Sequence, residues 1–351
     1  MLDYLVVGLG LSGLSICEHL EQRDLKFHVF ENNSQKSSLV AAGLYNPVVL
    51  KRFTLAWNAV SQMEIALPFY QKLEEKLKVK FIHSRNIYRK FYSAEEQNDW
   101  FAASDKSGLS EFMSTEILKE LNPNIPAKFG FGKVLKTGNI DTDIMLKEYR
   151  KYLDQKGQIT LSSFNYSELK FSQTEVEYKG LKARKIIFCE GFGLKKNPFF
   201  DYLPLNANKG EYITIYSKEL KLQEAVKSSV FIIPLGDNLY RVGATYNNQD
   251  KTPEPTLEAR EYLSEKLSKI ITCDFEVVDQ VAGIRPATKD RRPFIGAHPE
   301  FKNLLCCNGF GSRGVLIAPM ISEQLLDFSE DNKSIPEDSD IKRFTKKYYS
   351  A

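Results

Sequence analysis

The stretch that most constrains this chain lies at its start, in "YLVVGLGLSGLSICEHLEQRDLKFHVFEN". Tyr4 to Val7 is an apolar run of the kind a buried parallel strand shows. Gly8-x-Gly10-x-x-Gly13 follows, with Leu14, Cys17 and Leu20 at helical spacing, and a second apolar run from Phe27 to Phe30 ends at Glu31. Each residue type has a physical task. Gly8 permits a tight turn, Gly10 lets backbone approach a pyrophosphate, and Gly13 lets the helix pack closely on the strand. The helix start, through Leu11 and Ser12, offers free N–H groups and a partial positive charge to phosphates. Glu31 and Asn32, at the tip of the second strand, are placed to meet adenosine ribose hydroxyls. The unit therefore predicts dinucleotide binding, against the plainer alternative of a glycine turn with no ligand. By itself it does not separate NAD from FAD.

The rest of the chain sets the frame. At 351 residues, 42% hydrophobic and 26% charged, it has the make-up of a globular protein large enough for two lobes. A net charge of +3 is far from the concentrated basic face of a dedicated nucleic-acid binder. Five cysteines, Cys17, Cys189, Cys273, Cys306 and Cys307, lack the paired spacing of zinc sites and are read as reduced core residues. No leader-like start and no long uncharged apolar run is seen, so a cytoplasmic protein is expected.

Helical patterns fall at 54–79, after Ser93, over Ile144 to Leu153 with Asn139 or Asp141 as cap, and at 257–271. "ARKIIFCEGFG" reads as a buried strand ending in glycines. "KGEYITIYS", "SSVFIIPLGDNLYRVGATY" and "FEVVDQVAGIRP" read as strands, the first two alternating as half-exposed antiparallel strands do. Lys209 reads as a solvated lead-in to one of them. The expected fold class is α/β: a Rossmann-like cofactor domain from 1–50, 140–205 and 280–351, interleaved with an antiparallel-sheet substrate domain from 51–139 and 206–279.

The C-terminal stretch "VAGIRPATKDRRPFIGAHPEFKNLLCCNGFGSRGVLIAPMISEQL" resembles the D-amino-acid oxidase superfamily of flavoenzymes. Within that superfamily the likeness is to glycine oxidase and to the FAD domain of the bifunctional tRNA-wobble-uridine modification enzyme. The matching order is a G-x-R-P strand (Gly283–Pro286), a D-x-x-P-x-I-G hairpin (Asp290–Gly296), a strand (Leu304–Asn308), and a glycine-rich turn entering a helix (Gly309–Pro319). "AAGLYNPV" and "IIFCEGFG" also stand where the family has them.

The resemblance implies non-covalent FAD, since no cysteine precedes the hairpin in "VAGIRPAT". It places the cofactor against Gly8, Gly10, Leu11, Ser12, Gly13, Glu31 and Asn32, and puts Ser37 and Ser38 at the pyrophosphate. Ala42 and Gly43 lie beside the ring, with Asn46 and Pro47 at the pocket wall, and Phe164 near the adenine. Cys189, Glu190 and Gly191 run under the pyrophosphate. Gly309, Gly311, Ser312, Arg313, Gly314, Val315 and Leu316 form the turn and helix start facing the ring. Pro319 is expected in the first turn or so of that helix.

Arg285 is the expected carboxylate anchor, as a guanidinium holds a carboxylate through two parallel charge-assisted bonds. The plainer alternative pairs it with Asp279 or Asp290. Tyr240 and Tyr246 are the expected pocket aromatics, and Arg313 either adds charge at the ring or reaches into the pocket. The implied reaction is oxidation of a C–H bond next to an amine in a small amino acid or N-substituted glycine. Three alternatives stand beside it: oxidation of a carboxymethylaminomethyl group on tRNA, a different FAD or NAD oxidoreductase, and a non-catalytic flavin-binding protein.

Overall fold

The structure is a computed structural model that describes residues 1–349. Two large sheets organise it. In the first, strands Ile159–Leu161, Phe27–Glu31, Leu2–Val7, Leu181–Phe188 and Leu304–Asn308 lie side by side and parallel. On the outer edge of Leu181–Phe188 the first residues pair antiparallel with Val176–Tyr178, and Leu304–Asn308, paired with its last residues, is extended antiparallel by Phe294–Ala297. Both faces of the central strands are apolar and covered, as a parallel sheet requires. One face packs on helices Leu11–Gln22, Ala59–Leu77, Thr142–Gln155 and Gly314–Asp331, the other on aromatics such as Phe188, Phe200 and Tyr178.

The second sheet has eight strands, in the order Glu276–Thr288, Leu205–Tyr216, Leu239–Gly243, Phe231–Gly236, Ala225–Lys227, Ile87–Lys90, Phe131–Val134 and Met113–Leu118. All its pairs are antiparallel except Ala225–Lys227 with Ile87–Lys90. Side-chain alternation gives it two distinct faces. Ile213, Ile215, Tyr240 and Val242 point to a core closed by Leu263 and Leu267 of helix Leu257–Ser268. The opposite face carries Asn208, Gly210, Tyr212, Val281, Gly283, Arg285 and Arg241, which share register positions of the same parity. That face looks toward segment 37–43: a Cβ on Gly283 would stand 2.5 Å from a Val40 methyl and 3.1 Å from Ser37 Cα.

The local signals form the expected elements. Ser93 caps helix Ala94–Ser104 by accepting from the Glu96 N–H, and Asp141 caps helix Thr142–Gln155 at the Ile144 N–H. The five cysteines are free, four of them buried. Two expected placements differ. Helix Ala59–Leu77, assigned to the substrate domain, packs its Met63, Ala66, Phe69, Tyr70 and Leu73 on the core of the parallel sheet. Residues 280–288, assigned to the cofactor domain, run as the second half of the long strand Glu276–Thr288 in the antiparallel sheet. A fully apolar helix face takes whichever sheet has an uncovered surface, and sequence spacing does not record which. No helix among the described residues is long and apolar enough to cross a membrane.

Candidate functional site

The first turn is built by close approach. Gly8 has φ +96°, and a Cβ there would lie 2.6 Å from the Cys189 carbonyl oxygen. Gly13 sits so close to that turn that a Cβ would fall 2.0 Å from the Gly8 oxygen. Helix Leu11–Gln22 opens behind it with no side-chain cap. Leu11 N–H donates to Ser38 Oγ at 3.2 Å, while the Ser12 and Gly13 N–H groups have no partner among the described residues. Ser12 Oγ donates to the Cys307 carbonyl at 2.7 Å, so its hydroxyl is engaged and only its N–H faces outward. Glu31, 9% exposed, accepts from the Leu9 and Asn33 N–H groups. Asn32 is exposed and bonds Ser163.

A second helix start meets the first. Gly309 and Gly311 hold φ of +81° and +56°, and helix Gly314–Asp331 begins at once, again uncapped. A Cβ on Gly314 would touch the Leu11 side chain at 2.9 Å, so the two N-termini adjoin. The Gly314 and Val315 N–H groups have no partner among the described residues. Ser312 is exposed, and Leu316 is buried with its N–H already on the Arg313 carbonyl. Arg313 Nη1 donates to the Asn46 carbonyl at 2.7 Å, and burial pulls its pKa down. It therefore ties the helix start to segment 42–47, where Gly43, at φ +65°, accepts the Ile140 N–H.

Cys189 is buried beneath Gly8. The Glu190 carboxylate accepts from Tyr166 Oη at 2.5 Å and Asn197 Nδ2 at 2.8 Å, and burial pushes its pKa up to about 7. The Gly191 carbonyl accepts Asn308 Nδ2 at 2.9 Å. Phe164 stacks on Tyr178 with centroids 4.0 Å apart, and no hydrogen bond among the described residues occupies its backbone N–H or C=O.

Arg285 lies between these segments. Its strand neighbours touch both of them, Gly283 at Ser37 and Val40, and the Pro286 carbonyl at the Gly311 N–H, 3.0 Å. The guanidinium lies flat over Gly210, where a Cβ would stand 1.9 Å from Nη2. Nη1 donates to Asn208 Oδ1 at 2.7 Å and to the Thr245 carbonyl at 3.2 Å, and the Tyr246 ring lies 4.7 Å from Cζ. Among the described residues it makes no ion pair, so the expected alternative of an Asp279 or Asp290 partner does not hold; Asp290 pairs with Arg343. Tyr240 is not at the site. It is 3% exposed on the other face of the sheet, because one residue's shift along a strand reverses the face.

Reading the sequence missed Asn208, which stands in register with Arg285, and Gly210 and Thr245 beside it; Arg241, on the strand that the resemblance places facing the flavin, was given no role. Arg241 reaches a cleft of about 390 Å³ bounded by Leu39–Ala42, Asn139–Asp143, Ile233 and Val281. Its Nε, Asn139 Oδ1 and Thr142 Oγ1 are buried there without partners among the described residues. Orphaned polar atoms around one cleft are a group that a polar ligand would satisfy.

The family model for FAD-dependent oxidoreductases of the DAO type matches residues 3–327. The chain belongs to the DAO family of FAD-dependent oxidoreductases. It is 22% identical to glycine oxidase of Bacillus subtilis over 96% of this chain and 95% of that protein. The tRNA 5-methylaminomethyl-2-thiouridine biosynthesis bifunctional protein MnmC of Legionella pneumophila is 26% identical over 49% of this chain and 30% of its own length. The crystal structure of glycine oxidase from Geobacillus kaustophilus superposes with a TM-score of 0.81 at 19% identity, covering 98% and 97% of the two chains, a likeness of fold.

The residues present fit FAD. Two adjoining helix starts with free N–H groups suit a pyrophosphate and an electron-rich ring edge, and bare glycines leave room for their approach. The open Phe164 backbone suits an adenine edge.

Proposed function

We propose that the chain oxidises a small amino acid or N-substituted glycine whose carboxylate is held by Arg285. The observation that carries this is an unpaired guanidinium, fixed by Asn208 and Thr245, on the sheet face between segments 37–43 and 309–315. FAD supplies the two-electron acceptor. The protein's own work is orientation: Arg285 fixes one end of the substrate, and the sheet face sets how its C–H bond lies relative to the cofactor. No residue is assigned a proton-transfer role: the four histidines do not converge, and His19, His28 and His298 have their pKa lowered by burial.

Purified protein loaded with FAD is expected to lose its yellow colour anaerobically with sarcosine, glycine or a D-amino acid. Arg285→Met is expected to raise KM by roughly 30- to 150-fold, the equivalent of about 2–3 kcal/mol for charge-assisted bonds. An unchanged KM would remove Arg285 from the carboxylate role. The flavin is held without a covalent bond, so acid precipitation is expected to release it all to the supernatant.

Tyr246 favours a second substrate class. It is 72% exposed at the mouth beside Arg285, and an exposed aromatic ring can stack a nucleobase. On that reading the oxidised group is a carboxymethylaminomethyl substituent on a tRNA uridine. Bleaching by such a tRNA but not by sarcosine, with binding that weakens as salt rises, would favour it.

A further inference from the structure

The chain leaves strand Leu239–Gly243 and reaches helix Leu257–Ser268 through a segment with little packing of its own. Residues 246–249 and 251–255 are all exposed. Yet this segment starts with the two groups that touch Arg285, the Thr245 carbonyl and the Tyr246 ring. What holds it is Lys209, expected from the sequence as a solvated lead-in but 0% exposed in the structure.

Lys209 and Asn247 exchange backbone bonds of 2.7 and 2.9 Å. The Lys209 ammonium donates to Asp250 Oδ2 at 2.5 Å, Thr252 Oγ1 at 3.3 Å and the Glu254 carbonyl at 2.5 Å, so all three of its donors end in the one segment. On the same strand, Asn208 donates to Asn248 Oδ1 at 2.6 Å while accepting from Arg285. Glu211 donates its N–H to Thr245 Oγ1 and accepts at its carboxylate from Thr256 N–H and Oγ1. A buried ammonium is unfavourable by several kcal/mol unless paired and fully hydrogen-bonded. A valine would fill a strand interior without that penalty; Glu211 on the same strand lies 3.6 Å from the ammonium, and the ammonium's hydrogen bonds all run to the segment.

We infer that Lys209 is a positioning residue of the Arg285 site: paired with Asp250, it holds segment 245–256 closed, so that the Thr245 carbonyl and Tyr246 ring orient the guanidinium for a carboxylate. This rests on the Arg285 reading above.

The test uses FAD-loaded enzyme with three variants, Lys209→Met, Asp250→Asn and Asp250→Glu, and Arg285→Met alongside. Glycolate binding is followed by the flavin absorbance change, sarcosine kinetics give KM and kcat, and tryptic cleavage after the exposed Lys251 is followed by mass spectrometry. Lys209→Met and Asp250→Asn are expected to weaken glycolate binding and raise KM about tenfold, to lower kcat by less than half, and to speed cleavage after Lys251. Asp250→Glu is expected to recover most of the loss. Faster cleavage with unchanged glycolate affinity and KM would make Lys209 structural only, and unchanged cleavage would show that the ion pair does not hold the segment. Either overturns the proposal. If Lys209→Met does not fold, Asp250→Asn, a change on the exposed segment, decides alone. If Arg285→Met also leaves glycolate binding unchanged, the carboxylate reading itself falls, a result distinct from failure of the Lys209 variants alone.

Discussion

A guanidinium needs room as well as a charge, and at Arg285 the room comes from Gly210 on the neighbouring strand. Gly210→Ala removes no polar group, yet its methyl would occupy the place of Nη2. It is therefore expected to raise KM for the proposed carboxylate substrate nearly as far as Arg285→Met, while circular dichroism stays that of the parent. Glu190 carries the clearest titration. Burial raises its carboxyl from 4.5 to about 7, so between those values the native state keeps a proton that the unfolded chain has released. Its contribution to stability is full below about pH 4.5 and is lost as pH rises through about 7. Glu190→Gln has no such titration. Urea melts from pH 4.5 to 8.5 are expected to show wild type losing stability relative to the variant up to about pH 7 and holding a constant difference above it. A constant difference over the whole range would place the Glu190 carboxyl at its ordinary pKa.

At the scale of elements, helix Gly314–Asp331 repays attention to its proline. Pro319 is its sixth residue, in the second turn and not the first, so its missing N–H leaves the Val315 carbonyl without a helical partner. Tyr70, from helix Ala59–Leu77, donates its hydroxyl to that carbonyl at 2.8 Å, and His19 Nε2 bonds the Pro319 carbonyl at 3.0 Å. A helix distant in sequence thus completes the break, and a second bonds the turn beside it. Tyr70→Phe keeps the ring and abandons the carbonyl, and is expected to lower unfolding free energy by about 1–3 kcal/mol in urea titration. The Tyr70 bond, with the apolar packing of Met63, Ala66, Phe69 and Leu73, joins Ala59–Leu77 to the parallel-sheet lobe. Its apolar spacing made the helix legible from sequence, but its partner was not, since any apolar face would have accepted it.

For the whole molecule, the two sheets are threaded through one another along the chain, and the two adjoining helix starts that suit FAD come from its two ends. Binding FAD should therefore stabilise the fold as a unit. FAD at about 100 times its dissociation constant is expected to add about 2.7 kcal/mol, seen as a concentration-dependent rise in melting temperature. Separate transitions for the two lobes, only one of them moved by FAD, would contradict that coupling.

Local chemistry was readable in the sequence alone. Gly8, Gly10 and Gly13 after an apolar run, the helix start at Ser93 and that at Asn139 or Asp141, and the bare turn before Gly314 each depend on residues within a few positions, and backbone sterics act at that range. Tertiary structure decided everything that depends on a face or a neighbour. It buried Tyr240 behind the sheet, brought Asn208, Gly210 and Thr245 to Arg285, and turned Lys209 from an apparent surface residue into a buried ion pair. Strand register and lobe packing set those contacts, and both are fixed by the balance of burial over the whole chain rather than by any local run of residues.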